Sequence, residues 1–348
     1  MEHGGNINLI ENKYGIDKNK IIDFSANTNP LGMPNVDINL NCLEKYPDVE
    51  YKILRHAISK YTNTNYENII VANGSTELIS LLIKIINAKQ TLISMPTYSE
   101  YERESRIIGS SIKYYITSQE NNFEIETEKL LNLLSLETNL FILCNPNNPT
   151  GKSVSNLEKI ISYCDKKNIL VIIDEAYAEF FDESAIELIN EYENLIIIRG
   201  TSKFFCLPGL RLGYAITSNL EIIDKINEVK DPWSVNSLAN EIGKAIFNDK
   251  EYIKKSKDYI SKEYQFIKNS FEKINSCKLY DTRANFFMCK ILNSKTSNKL
   301  FNYLLKKNLL IRDLGNCKFL NNKFFRFSIS NHENNLLLIE QIKKFFTE

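Results

Sequence analysis

The sequence predicts an α/β fold: a large domain with a mostly parallel, seven-stranded sheet, and a smaller α+β domain behind it. Three observations carry this expectation. Seven short apolar runs follow one another between residues 67 and 217. Segments of helical periodicity separate them, which is the alternation of a parallel sheet with crossover helices. Several runs are unbroken Ile/Leu/Val stretches, as strands covered on both faces require.

In chain order, residues 1–40 read as an irregular arm whose NPLGMP turn is a loop. The large domain is expected over 41–240. Its first run, ENIIVANG (67–74), ends in a glycine turn, and STELISLLIKIINA (75–88) follows as a helix that Ser75 or Thr76 can cap. The later runs are QTLISMP, SIKYYIT, NLFILCNP, NILVIIDEAY, ENLIIIRG and RLGYAIT. Past DPWSVNS (231–237) the character changes to a long charged, helix-prone stretch. Two strand-like pieces, ANFFMCKI and KFFRFSIS, and a last amphipathic helix complete a small domain over 241–348.

Bulk properties narrow the function. The 348 residues are 43% hydrophobic and 25% charged, with a formal net charge of zero. Without a basic field, nucleic acid and anionic membrane surfaces are not expected partners. No apolar run approaches a membrane span, and the N-terminus lacks a signal-peptide layout. Seven scattered cysteines and three histidines speak against a disulfide framework or a metal site and for a reducing cytoplasm.

Open α/β sheets bind ligands beyond the carboxyl ends of their strands, and four strand ends here offer complementary groups. Gly74-Ser75-Thr76 stands at a helix N-terminus, where backbone N–H groups suit a phosphate. Thr201, Ser202 and Arg211 could add donors to the same phosphate. Asp174 closes an apolar strand, and a buried carboxylate needs a cation; a protonated pyridine nitrogen would serve. The amine of Lys203 can form a Schiff base with an aldehyde. Phosphate, pyridinium and aldehyde together describe pyridoxal 5'-phosphate.

The motifs NNPTG, DEAY, TSK and GLR, spaced 26, 29 and 8 residues apart from Asn148 through Asp174 and Lys203 to Arg211, resemble fold-type I pyridoxal-phosphate enzymes of the aspartate aminotransferase superfamily. The histidinol-phosphate aminotransferase branch is most similar. The resemblance implies that Lys203 holds the cofactor aldehyde and Asp174 faces the ring nitrogen. It implies that Asn148 and Tyr177 bind the ring hydroxyl. Ser202, Arg211 and the backbone around Gly74, Ser75 and Thr76 would hold the phosphate. Tyr98 would stack on the ring, and Tyr46 would reach into a partner subunit's site, making a homodimer. Arg326 would meet a substrate anion.

HGGN (3–6) and DFSANTNPLG (23–32) resemble the threonine-phosphate decarboxylases of cobalamin synthesis more specifically. His3, Gly4, Asn27, Asn148, Arg312 and Arg326 are then expected to line the substrate, a phosphorylated amino acid with two anionic groups. The expected reaction is decarboxylation of threonine phosphate or serine phosphate. The alternative is an aminotransferase acting on histidinol phosphate. A regulatory protein using the fold as a ligand sensor is a third reading. His56 and His332 are expected to be structural, and Cys144 and Cys206 to be packing residues.

Overall fold

A computed structural model describes residues 4–135 and 137–347. The arm is not wholly irregular, contrary to the expectation from sequence. It carries helix α1 (Ile7–Tyr14) and strand β1 (Ile22–Asp23). The Asn6 side chain caps α1 by accepting from Leu9 N, and Gly15 closes it in the left-handed region at φ 67°. The helix buries no residue, although Ile7, Ile10 and Tyr14 recur at helical spacing, a pattern the sequence reading passed over.

The central sheet has the seven expected strands: β2 (Ile69–Ala72), β3 (Gln90–Met95), β4 (Ser111–Ile116), β5 (Leu140–Cys144), β6 (Leu170–Asp174), β7 (Leu195–Gly200) and β8 (Gly213–Ile216). Their order is β2-β8-β7-β6-β5-β3-β4. The β4-β3-β5-β6-β7 pairings are parallel; β8 runs antiparallel to both β7 and β2. Alternate residues of each strand face two separate cores. Ile70, Ile142, Ile172 and Ile198 point one way, and Val71, Phe141, Val171 and Ile197 the other. That double burial explains the unbroken apolar runs.

Helices α2 (Lys52–Thr62), α3 (Ser75–Ile86), α4 (Ser99–Ile107), α5 (Thr127–Leu133), α6 (Leu157–Asp165) and α7 (Leu220–Val229) punctuate these strands. Gly74 is the N-cap of α3, and no side chain caps that helix; the expected caps Ser75 and Thr76 lie in its first turn.

Helices α8 (Ser237–Ile246) and α9 (Lys250–Phe271) lead to the C-terminal part. The expected break at 240/241 falls inside α8. Beyond it lie β9 (Cys277–Leu279), β10 (Phe286–Ile291), α10 (Ser297–Leu305), β11 (Leu309–Leu310), β12 (Arg312–Asp313), β13 (Phe324–Ser328) and α11 (His332–Thr347). Strands β12-β13-β10-β9 form an antiparallel sheet, and β11 pairs parallel with β1, tying the arm to this part. The sequence reading found β10 and β13 but not β9, β11 and β12, which at two or three residues are too short to show a period. Among the described residues no helix is long and apolar enough to cross a membrane.

Candidate active site

The carboxyl ends of β3, β5, β6 and β7 lie side by side. Asp174 ends β6 in register with Cys144 of β5 and Ile198 of β7. It is 4% exposed. Its Oδ1 accepts from Ala176 N at 3.0 Å and its Oδ2 from the Tyr101 hydroxyl at 2.7 Å. Burial raises its pKa above the usual carboxylate value, against the opposing pull of those two hydrogen bonds. Such an acid is best stabilised in its charged form by a cation placed beside it.

Lys203 follows β7. Its Nζ donates to the carbonyl of Ala26 at 2.6 Å, and Asn29 N donates to its backbone carbonyl at 3.0 Å. Burial and the Arg326 guanidinium push its pKa down to about 8, so far more of it is neutral amine near physiological pH than for an ordinary lysine, although the ammonium still predominates. The arm segment around DFSANTNPLG is thereby fastened to the lysine turn. Asn29 reinforces this through Nδ2, which donates to Phe204 O and Ser256 Oγ, both at 2.8 Å.

The anion cup is built by close backbone approach. A Cβ on Gly213 would lie 2.3 Å from Ser75 N, so only glycine lets β8 touch the start of α3. Gly74 has φ 85°, and a Cβ there would lie 2.4 Å from Arg211 Nη2. The guanidinium therefore covers the N-terminus of α3. Arg211 itself is left-handed at φ 58° and donates to Pro208 O. Thr201 is a correction: it is fully buried and its hydroxyl already donates to Leu212 O at 3.2 Å, so it is not a free donor. Ser202 is half-buried beside it.

Tyr98 caps α4 and lies edge-on to Tyr101, with ring centroids 5.5 Å apart. Burial raises its pKa, the Glu100 and Asp174 carboxylates push the same way, and Thr76 and Arg211 oppose them. Tyr177 is 4% exposed, with its pKa pushed up to about 12 by burial.

At the other end of the cleft, Arg326 is 6% exposed and donates to Asn148 Oδ1 and to Ser25 O. Its Nε is buried without a partner. Asn27, left-handed at φ 56°, places Nδ2 3.4 Å from the Tyr177 hydroxyl and leaves Oδ1 unpartnered. Arg312 stands opposite Arg326 in the β12–β13 register and donates to Asn316 Oδ1. Arg312 and Gly4 border one cavity of about 380 Å³ between the arm and the C-terminal part. A Cβ on Gly4 would lie 2.2 Å from Ser25 O, and Gly5 N donates to Ser25 Oγ. His3 lies outside the described residues. Tyr46 is not brought to this chain's own cleft: it is 79% exposed and packs on Trp233 at 4.7 Å.

Sequence reasoning missed Tyr101, Ala26 and Asn285. Asn285 Nδ2 donates to the carbonyls of Asn27 and Thr28, holding that loop. The signal for Tyr101 was present in YSEY, whose i, i+3 spacing puts both tyrosines on one side of a helix start. His56 stacks on Tyr66 and His332 contacts Glu263, as expected of structural histidines. Burial raises the pKa of the Cys144 and Cys206 thiols, so neither is an activated nucleophile.

The donor set fits pyridoxal 5'-phosphate. A desolvated acid, a low-pKa lysine and an arginine-covered helix start match its ring nitrogen, aldehyde and phosphate, and buried polar atoms without partners remain beside them. A family model for aminotransferase class I and II matches residues 7–342. A Caldanaerobacter subterraneus protein provisionally named threonine-phosphate decarboxylase is 37% identical, covering 100% of this chain and 94% of that one. A histidinol-phosphate aminotransferase of Methanococcus aeolicus is 32% identical over 96% of this chain and 92% of its own. The crystal structure of the histidinol-phosphate aminotransferase from Clostridium acetobutylicum superposes with a TM-score of 0.87 at 32% identity, covering 92% of this chain and 98% of that one. The chain belongs to the class I and II aminotransferase family, the fold-type I enzymes that work with pyridoxal 5'-phosphate.

Proposed function

We propose that the chain decarboxylates an O-phospho-amino acid. The substrate in this reading is L-threonine O-3-phosphate, giving (R)-1-aminopropan-2-yl phosphate for cobalamin synthesis, with serine phosphate to ethanolamine phosphate as the close variant. The observation that carries it is the cross-strand pair Arg312 and Arg326 beside an arm whose Gly5 N donates to Ser25 Oγ. A substrate with both a carboxylate and a phosphate needs two cationic anchors. The 37% identical relative carries the same activity in its name.

In this reading Lys203 holds the cofactor aldehyde, Asp174 the ring nitrogen, and Asn148 and Tyr177 the ring hydroxyl. Ser202, Arg211 and the amides of Gly74, Ser75 and Thr76 hold the phosphate, and Tyr98 covers a ring face. Pyridoxal phosphate, when bound, supplies the electron sink for the bond broken at Cα. The chain chooses which bond that is by fixing the substrate's anions. Arg326 Nε, buried and unpartnered, receives one oxygen. The Asn27 amide offers Oδ1 as it stands, or its N–H after a half-turn. Arg312 and the Gly4 segment, with His3 ahead of it, take the other anion from the cavity side. Lys203 Nζ, freed from the cofactor aldehyde and protonated below about pH 8, would donate the proton that replaces the carboxylate at Cα, and the neutral amine left behind can take up the aldehyde again.

The same reading makes the protein a homodimer with an arm (1–40), a large domain (41–240) and a small domain (241–348). Leu40, Leu43, Tyr46, Val49, Ile53 and Trp233 are each at least 45% exposed. Such an apolar patch suits a second copy, whose site would receive Tyr46. The free cysteines fit a cytoplasmic location. The second reading, an aminotransferase on histidinol phosphate, shares every cofactor residue and has the 32% identical relative in its favour.

The deciding experiment incubates holoenzyme with threonine phosphate and no 2-oxo acid. Sustained CO₂ release with an amino-propanol phosphate product is the expected outcome. A single-turnover conversion of the cofactor to its amine form, without CO₂, would put the aminotransferase first.

A further inference from the structure

The loop joining β12 to β13 makes a contact that none of the roles above uses. Lys318 Nζ donates to both carboxylate oxygens of Glu102, at 2.9 and 3.1 Å, and to the Tyr114 hydroxyl at 2.7 Å. The ammonium also lies 4.2 Å from the centroid of the Tyr114 ring. Next to it, Phe319 meets the same ring edge-on at 5.5 Å. Phe319 is held at φ 66°, a left-handed conformation that a phenylalanine keeps only when its surroundings impose it. The other side of the loop is anchored too. Leu314 and Phe324 pack with Phe123, which comes from the segment after β4.

The two ends of this contact matter. Glu102 lies on α4, next to Tyr101 and four residues after Tyr98. Tyr114 lies on the edge strand β4. Lys318 sits in the hairpin whose two strands carry Arg312 and Arg326. We propose that Lys318, Glu102 and Tyr114 form a clasp that positions the arginine-bearing hairpin against the helix that faces the cofactor. They are positioning residues: they touch neither cofactor nor substrate and act through Arg312 and Arg326. One exposed ion pair would do little. Here a carboxylate, a phenol and a ring face converge on one ammonium, with Arg106 of α4 donating to the same carboxylate and phenol and Phe319 packed on the same ring.

This inference rests on the proposed substrate-anion role of the two arginines, so its test has two readouts. The first is independent of that role. Hydrogen exchange of residues 312–328 is measured in pyridoxal-phosphate holoenzyme for Lys318→Met, Glu102→Gln and the double variant. Each single variant is expected to speed exchange there, and the double variant to add nothing. Unchanged exchange, or effects that add, would overturn the clasp whichever reaction the enzyme catalyses. The second readout is kinetic, with threonine phosphate or, if no CO₂ is released, with histidinol phosphate and a 2-oxo acid. KM is expected to rise about fivefold while kcat stays within about twofold, the pattern of lost binding common to ground and transition states. Faster exchange with an unaltered KM would leave the clasp purely structural and overturn its positioning role.

Discussion

Tyr101 gives its phenolic hydrogen to Asp174 Oδ2 at 2.7 Å, and both residues are buried. The pair sets how readily the acid stays ionised. Burial raises the pKa of Asp174, and this hydrogen bond is the largest opposing influence.

Removing the hydroxyl with Tyr101→Phe therefore raises that pKa further. A group whose pKa rises holds its proton to higher pH, so less carboxylate is available to face a protonated ring nitrogen. The acid limb of the kcat/KM profile is expected to move to higher pH. The lost charge-assisted hydrogen bond is expected to cost about 1.5–3 kcal/mol, read as weaker cofactor retention. An unmoved acid limb would show that Tyr101 is only a packing residue.

Lys203 yields a second pH prediction. Its pKa stands at about 8 against an ordinary 10.5, because burial and Arg326 both disfavour the ammonium. The neutral amine attacks an aldehyde, so uptake of pyridoxal phosphate by apoprotein, trapped by borohydride and read by mass, should rise with pH through a midpoint near 8. Arg326→Gln removes a repelling charge and should move that midpoint upward. A midpoint that stays put in the variant would mean burial alone sets it.

The sequence made the cofactor end of this site legible because that chemistry is local. Asp174 closes a strand, Lys203 and Asn148 lie in the turns just past two others, and each sits in a motif whose neighbours are polar for a visible reason. Tyr101 was hidden because its role depends on a partner 73 positions away. Asn285 was hidden for the same reason: it holds Asn27 from another part of the chain. Helix α1 was legible but passed over: Ile7, Ile10 and Tyr14 recur at helical spacing, and Asn6 and Gly15 mark its ends. In the NNP motif, the sequence reading singled out Asn148. Asn147 turned out to bond Pro96 O and Thr97, while Asn148 meets Arg326.

A stability prediction follows from the residue after Asp174. Glu175 is fully buried and accepts from Arg199 Nε and Nη2, at 3.0 and 2.8 Å. Glu179, also buried, lies 3.9 Å from Arg199 Nη1 and accepts from Tyr61. The guanidinium thus serves two carboxylates and ties the turn after Asp174 to the strand that leads to Lys203. Arg199→Leu would strand both acids. Breaking such a buried set costs about 3–5 kcal/mol, to be read from urea denaturation of the apoprotein. Adding Glu175→Gln and Glu179→Gln should recover part of that loss. A loss below about 1 kcal/mol in the single variant would place the three groups in contact with water instead.

The exposed Tyr46 decides whether sites are shared between subunits. Its ring rests on Trp233 at 4.7 Å and is 79% exposed, away from its own cleft. If it serves the partner's site, a Tyr46→Ala subunit damages its neighbour and a Lys203→Ala subunit damages itself. Each homodimer is then impaired at both sites. In a mixed dimer, one site combines the intact Lys203 of the first variant with the intact Tyr46 of the second. Co-refolding equal amounts should restore about a quarter of wild-type activity, because half the dimers are mixed and each has one sound site. Activity that stays at the level of the separate variants would mean that Tyr46 acts, if at all, within its own chain.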